Sequence, residues 1–285
     1  MIKILFPLVV LLMAETAFAE TVDSKVDYAF DTSGKTALHV TADDYVGTLG
    51  VGAAYTRFTT SIGTYNSAGL QLLVDYKISN YSINGRIGVA DYNVTPYFLG
   101  NISLADKLTK HITISTGITG DIVDSVKSLK TGTSVSGYNI NAEINYGPFD
   151  TLITGKQSFY SNGNIQSGVI ARTYVKLIDG FNLYTSQRYI VNSLPSNGYF
   201  FSPPDYSRFK FGAEFKKSWK GYTVSGSYDR GVATSYGRSV DVSAWKAGIE
   251  KKIKPDLSIA VNAGFDLSDT NYVYHFVNIG FNKSF

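Results

Sequence analysis

The chain has 285 residues, carries 26 Lys and Arg against 23 Asp and Glu for a formal charge of +3, and contains no cysteine. These values exclude a disulfide scaffold, a thiolate metal site and a lipidated N-terminal cysteine, and so weak a charge does not point to nucleic acid. Twenty-one Tyr, 17 Phe and 27 Gly beside only 2 Met, with a mean hydropathy of -0.02, suit extended strands whose apolar and polar faces cancel.

Residues 1–19 read as a signal peptide. Lys3 gives a positive start, "ILFPLVVLLMA" (4–14) is an apolar run, and "AFA" (17–19) supplies small residues for cleavage. The run is too short for a membrane-spanning helix, which needs about 20 residues. The expected mature chain, 20–285, is a single domain with no later apolar run of helical span.

From there the same period-2 alternation recurs. "VDSKVDYAFD" (22–31) sets Val22, Val26, Tyr28 and Phe30 against Asp23, Lys25, Asp27 and Asp31. "LQLLVDYKI" (70–78) opposes Leu70, Leu72, Val74, Tyr76 and Ile78 to Asp75 and Lys77. "YNINAEINY" (138–146), "SRFKFGAEFKK" (207–217) and "LSIAVNAGFDL" (257–267) repeat the pattern. Strands are expected near 24–31, 35–43, 46–64, 68–78, 81–91, 95–105, 111–121 and 136–146. The second half adds 149–160, 165–177, 181–192, 206–217, 221–230, 240–253, 256–267 and 273–285. Many reach about ten residues, the length of a tilted membrane strand, and no helical interval separates them. The expected fold is an all-β, transmembrane antiparallel up-and-down barrel of about 16 strands, within a range of 14–16. Only closure satisfies every backbone group in lipid. In 46–64 the apolar parity changes after Tyr55, which requires a bulge or a turn.

Connections alternate between tight turns (78–82, 146–150, 177–181, 218–221, 253–257) and looser, Gly/Ser/Pro-rich segments (121–137, 160–164, 192–206, 231–240). Short periplasmic turns and longer outer loops are the arrangement of an outer-membrane barrel. The closing segment "HFVNIGFNKSF" places Val277, Ile279, Phe281 and Phe285 on one face. Phe281 and Phe285 are the expected signal to the barrel-assembly machinery.

Inward parity separates the charges. Arg172, Lys176, Arg188, Arg208, Lys210 and Lys216 form an expected basic wall against one acid, Glu214. Asp23, Asp27, Asp31, Asp43 and Asp75 form an expected acidic wall against Lys25 and Lys77. Either the two walls set a transverse field across a pore, favouring anions near the basic side, or the charges are paired and hydrated as in any barrel interior. Tyr97, Tyr160, Tyr174, Tyr184 and Tyr206 share the inward parity, either as a stacking track for sugar rings or as filling.

Enzymatic readings find little support. His111 shares a face with Thr113 and Ser115 but adjoins a periplasmic turn, His39 lacks an inward serine, and His275 has lipid-side parity. No Gly-rich phosphate loop or metal-ligand spacing occurs, so no catalytic residue, metal or cofactor is expected.

The segment "NGYFFSPPDYSRFKFGAEF" (197–215) resembles the Gly-Tyr-Phe-Ser-Pro-x-x-Tyr stretch in the C-terminal barrel of bacterial cellulose-export subunits and in the stand-alone YaiO-like outer-membrane barrels. Gly198, Tyr199, Ser202, Pro203 and Tyr206 match; the Phe200–Phe201 pair is one residue longer and Pro204 is a departure. The resemblance implies a role in moving or anchoring exopolysaccharide. Export subunits carry a helical-repeat scaffold before the barrel, so active export on this resemblance requires a separate periplasmic scaffold protein as partner. Tyr199, Phe200, Phe201 and Tyr206 are expected in an extracellular loop that plugs the mouth or touches glycan.

The expectation is therefore a barrel of the bacterial outer membrane, in contact with lipid and lipopolysaccharide, acting as a channel or export pore for polar solutes. The alternatives are a plugged structural or glycan-binding barrel and, third, a lipid-modifying enzyme.

Overall fold

The computed structural model describes residues 21–31, 34–92, 95–123, 125–194, 203–267 and 273–284. Sixteen strands form the wall. The first eight are Thr21–Asp31 (β1), Thr36–Val46 (β2), Leu49–Thr60 (β3), Gly63–Ile78 (β4), Tyr81–Tyr92 (β5), Thr95–Lys107 (β6), Ile112–Ile122 (β7) and Ser134–Tyr146 (β8). The others are Phe149–Tyr160 (β9), Ile165–Ile178 (β10), Phe181–Asn192 (β11), Asp205–Trp219 (β12), Tyr222–Ser235 (β13), Arg238–Lys254 (β14), Leu257–Leu267 (β15) and Val273–Ser284 (β16). Each pairs antiparallel with its sequence neighbours, and β1 pairs with β16, so the barrel is closed. One short helix, Val126–Thr131 (α1), sits between β7 and β8, capped by the Ser125 hydroxyl accepting from the Ser128 N–H.

Connections at one end are tight, as at 147–148 and 179–180; the other end carries the longest, 123–133 and 193–204. The tight end is periplasmic on the outer-membrane pattern. Two expectations change here. The segment 231–240, read as a loop from its Gly and Ser content, is strand up to a two-residue turn, Tyr236–Gly237, with φ of 51° and 69°. Both residues lie in the left-handed region, as a type I′ hairpin turn requires. The stretch 46–64 contains no bulge: β3 keeps an unbroken register with β2 and β4 and ends in a turn at 61–62. The parity changes because Phe58 is an inward apolar residue, packed with Ile122 and Leu129.

Along the membrane-spanning part of the strands, cross-strand pairs fix which face each residue takes. Leu70, Leu72, Val89, Ile140, Val169 and Ile279 point outward and are exposed. Towards the tight end the same outer face carries Tyr76, Tyr81, Tyr146, Phe149, Trp219 and Tyr222, and towards the other end Tyr28, Phe30, Phe159 and Tyr189. An apolar band between two aromatic girdles has no stable place in water; it matches the hydrocarbon slab and its two interfaces. Residues 1–19 and Phe285 lie outside the described residues.

Candidate functional site

The interior of the barrel holds the polar chemistry. Inward residues alternate with the lipid-facing ones, so one register fixes both surfaces. Arg172 and Lys176 on β10, Arg188 on β11 and Arg208, Lys210 and Lys216 on β12 lie on the inward face. So do Asp23, Asp27 and Asp31 on β1, Asp43 on β2 and Asp75 on β4. In a closed ring of sixteen strands β3 lies diametrically opposite β11, so the two groups occupy facing walls.

Among the described residues, several inward side chains remain solvent-accessible. Inward Leu152 is 41% exposed, and Thr119, Arg172, Lys176 and Lys246 are exposed as well. A cavity of about 560 Å³ lies beside Lys176, Asn182, Glu214, Lys216 and Lys246. A second, of about 360 Å³, lies beside His39, Gln71, Arg86, Asn101 and Thr119.

Pairing separates the walls further. On the acidic side Asp43 holds Arg86 at 2.7 Å, reaching past β3 and β4. Gly52 makes this reach possible: a Cβ there would stand 2.6 Å from the Asp43 carboxylate. Asp31 is buried against Lys35 (3.6 Å), and Asp27 accepts from Lys25 (2.7 Å) and from the Asn278 amide. The acidic wall is thus largely neutralised, leaving Asp23 and Asp75 exposed to the lumen.

On the basic side Lys210 is a correction. It faces inward but is only 4% exposed, held by Asp229 at 2.9 Å and Asp266 at 3.6 Å. Burying an ammonium requires such partners, so Lys210 belongs to the wall and offers no charge to a passing solute. Tyr184 donates to the same Asp229 carboxylate at 2.8 Å, its ring crossing Gly212, where a Cβ would meet it at 2.7 Å. Arg172, Lys176, Arg208 and Lys216, joined by Lys156 and Lys246, form no ion pair among the described residues. Arg172 donates to the Tyr174 hydroxyl (3.1 Å) and lies 5.6 Å from the Tyr184 ring centroid, while Arg188 lies 5.9 Å from that of Tyr206. Arg188 and Arg208 are direct cross-strand neighbours.

The aromatic track is also corrected. Tyr97 bonds the Ser67 hydroxyl at 2.7 Å and packs on the Phe58 cluster, so its ring is wall, not a platform. Tyr184 is buried under its bond to Asp229. Tyr206 is not a loop residue: it belongs to β12 and is buried inside the mouth with Ile190, Ala233 and Val242. Tyr160 and Tyr174 keep partial exposure towards the lumen. Tyr199, Phe200 and Phe201 lie outside the described residues. Phe281 faces outward on β16.

The histidines are separated by the fold. His39 faces inward and bonds the Thr56 hydroxyl; His111 bonds the Asn145 carbonyl (2.7 Å) at the periplasmic end; His275 stacks on Phe30 outside, with centroids 4.7 Å apart. Among the described residues no group of three His, Asp or Glu is placed to hold a metal ion.

No family model matches the sequence, and no curated protein is similar to it. Solved structures do share the fold. A bacterial polysaccharide outer membrane secretin superposes with a TM-score of 0.75 at 9% identity, covering 94% of this chain and 100% of that one. OccK3 (OpdO) of Pseudomonas aeruginosa gives 0.51 at 10% identity, covering 93% of this chain and 94% of that one. OccK11 (OpdR) of the same organism gives 0.50 at 9%, covering 92% and 94%. The protein is an outer-membrane β-barrel. At these identities the likeness establishes architecture, and the lumen's own side chains have to supply the chemistry.

Proposed function

We propose that the barrel is a passive channel for polar solutes, with a preference for anions, and that saccharides are among its solutes. The carrying observation is the unequal pairing of the two walls. The acidic wall spends most of its carboxylates on Arg86, Lys35 and Lys25, whereas Arg172, Lys176, Arg208 and Lys216 keep their charge for the lumen. A row of cations on one side of a partly exposed, low-dielectric passage attracts anions and orients dipolar solutes. The saccharide class is supported by the shared fold of the polysaccharide secretin and by the resemblance of Gly198–Tyr206 to the YaiO-like and cellulose-export barrels. In that setting the partners are the polysaccharide, a periplasmic scaffold protein, lipopolysaccharide around the outer rim and the assembly machinery that reads Phe281 and Phe285.

A second reading, a barrel whose mouth is closed at rest, is favoured by two buried apolar clusters near the outer end. Phe58, Ile122 and Leu129 form one beneath α1; Ile190, Tyr206, Ala233 and Val242 form the other. Liposome swelling separates the readings. Expected is uptake of a sugar acid faster than of a neutral sugar of the same size. Swelling no faster than in protein-free liposomes would remove the channel reading and leave the closed barrel.

A further inference from the structure

A cavity of about 610 Å³ opens on the outside of the wall, across β12–β15. One rung of the ladder explains it: Phe215, Gly226, Ala247 and Ala263 are successive cross-strand neighbours, all facing outward. Three small residues in a row remove the volume that Leu, Ile and Tyr supply elsewhere on this surface. The groove has definite edges. A Cβ on Gly226 would lie 2.5 Å from the Phe215 ring, so that ring rests on the glycine and walls one side. Trp245 and Phe265, edge to face at 5.7 Å, close the end nearer mid-membrane.

Its periplasmic end opens towards cations. Lys217 lies one rung below Phe215, and Lys251 two rungs below Ala247, both on the outer face. Lys251 sits 5.0 Å from the Tyr222 ring centroid and Lys220 4.8 Å from that of Trp219, at interfacial depth. Asp179 bonds Lys217 at 2.8 Å, and that ammonium holds its carboxyl below the usual range. Asp256 is the other acid in these turns, beside Lys254. Cations therefore prevail at the foot of the groove. Rungs are about 7 Å apart along a strand, so these ammonium groups stand roughly 7–14 Å from the groove floor, and lysine stems can snorkel to the headgroup plane.

That combination is complementary to one molecule. We infer that the groove seats an acyl chain of an anionic glycerophospholipid of the periplasmic leaflet, whose phosphate is held by Lys217, Lys220 and Lys251. A headgroup charge at the interface and a hydrocarbon chain rising beside it have the spacing found between these lysines and the glycine–alanine rung. A zwitterionic lipid would fill the groove but gain less from the lysines, each worth roughly fivefold in affinity near a membrane surface.

The test is native mass spectrometry of the full mature barrel in mild detergent, offered equal amounts of phosphatidylglycerol and phosphatidylethanolamine. Expected is retention of one phosphatidylglycerol, at least roughly fivefold over the other lipid. Ala247→Leu/Ala263→Leu fills the groove without changing charge and should remove that retention, with folding checked by heat-modifiable migration. Lys217→Gln/Lys251→Gln leaves the apolar surface intact and should equalise the two lipids, so the test stands even if the leucine pair blocks folding. Equal retention of both lipids by the unmodified protein, or retention unchanged by these substitutions, would reduce the groove to ordinary boundary lipid. A stoichiometric dimer lost on the leucine substitution would assign it to a second copy of the chain. Either result overturns the inference.

Discussion

Ile118 and Thr119 are consecutive on β7, at nearly the same depth, and point to opposite sides of the wall. Ile118 is 45% exposed on the outer face, between Ile102 and Tyr138. Thr119 faces the lumen between Asn101 and Gly137, two residues from inward Asp121. Ile118 lies six residues above Ile112, the periplasmic start of β7. At about 3.4 Å per residue and a tilt of about 40° that is roughly 16 Å, close to the middle of an apolar band of about 25 Å. Arginine at such a site costs about 2–4 kcal/mol in lipid. Thr119→Arg instead enters a hydrated lumen beside a carboxylate, where about 0.5 kcal/mol in either direction is expected. The pair should therefore differ by about 2–3 kcal/mol, on the order of a hundredfold in the folding equilibrium. Guanidinium unfolding in phospholipid vesicles, followed by the fluorescence of Trp219 and Trp245, measures both. Equal losses, or the larger loss at Thr119, would mean that the apolar residues share an interior, and the membrane account would fail.

Removing the buried cation should be costly: Lys210→Met leaves Asp229 and Asp266 facing each other, at about 3 kcal/mol in the same assay, and adding Asp229→Asn should recover part of it. Arg172→Glu/Arg208→Glu reverses charge in the lumen without touching an ion pair of the wall, and should move the reversal potential in a salt gradient towards cation preference. The same change with unaltered selectivity would remove the basic wall from the mechanism. Leu129→Ala opens a hole beneath α1, where Leu129 is fully buried, for a local loss of about 2–4 kcal/mol. Faster proteolytic cutting within 123–133 while the barrel stays folded would report it.

Much of the architecture is legible from alternation alone. Period-2 runs of membrane length have one stable arrangement in lipid, and the facing of Arg172 or Asp75 follows from their apolar neighbours. The same rule marks residues that the composition of the two walls did not bring forward. Ile83, Ile87 and Val89 place Arg86 inward, and Val224 with Tyr228 places Asp229 there. Reach is what alternation does not encode. Asp43 meets Arg86 from three strands away across a glycine, and Lys210 meets Asp266 on β15, because closure and small neighbours set those distances. Composition misleads where burial intervenes. Phe58 breaks the pattern because the mouth has its own apolar packing, and 231–240 looks loop-like although Ala233 is buried in that packing and Val240 lies against it. The tyrosines divide for a similar reason, since Tyr97 and Tyr184 spend their hydroxyls on Ser67 and Asp229 rather than on a solute.

Single-channel recording in a planar bilayer, under a salt gradient, bears most directly on the lumen as a continuous charged passage. Expected are discrete conductance steps with a reversal potential on the anion side, reduced by millimolar sugar acid. A bilayer that stays silent at every voltage, with folded barrel inserted, would contradict it.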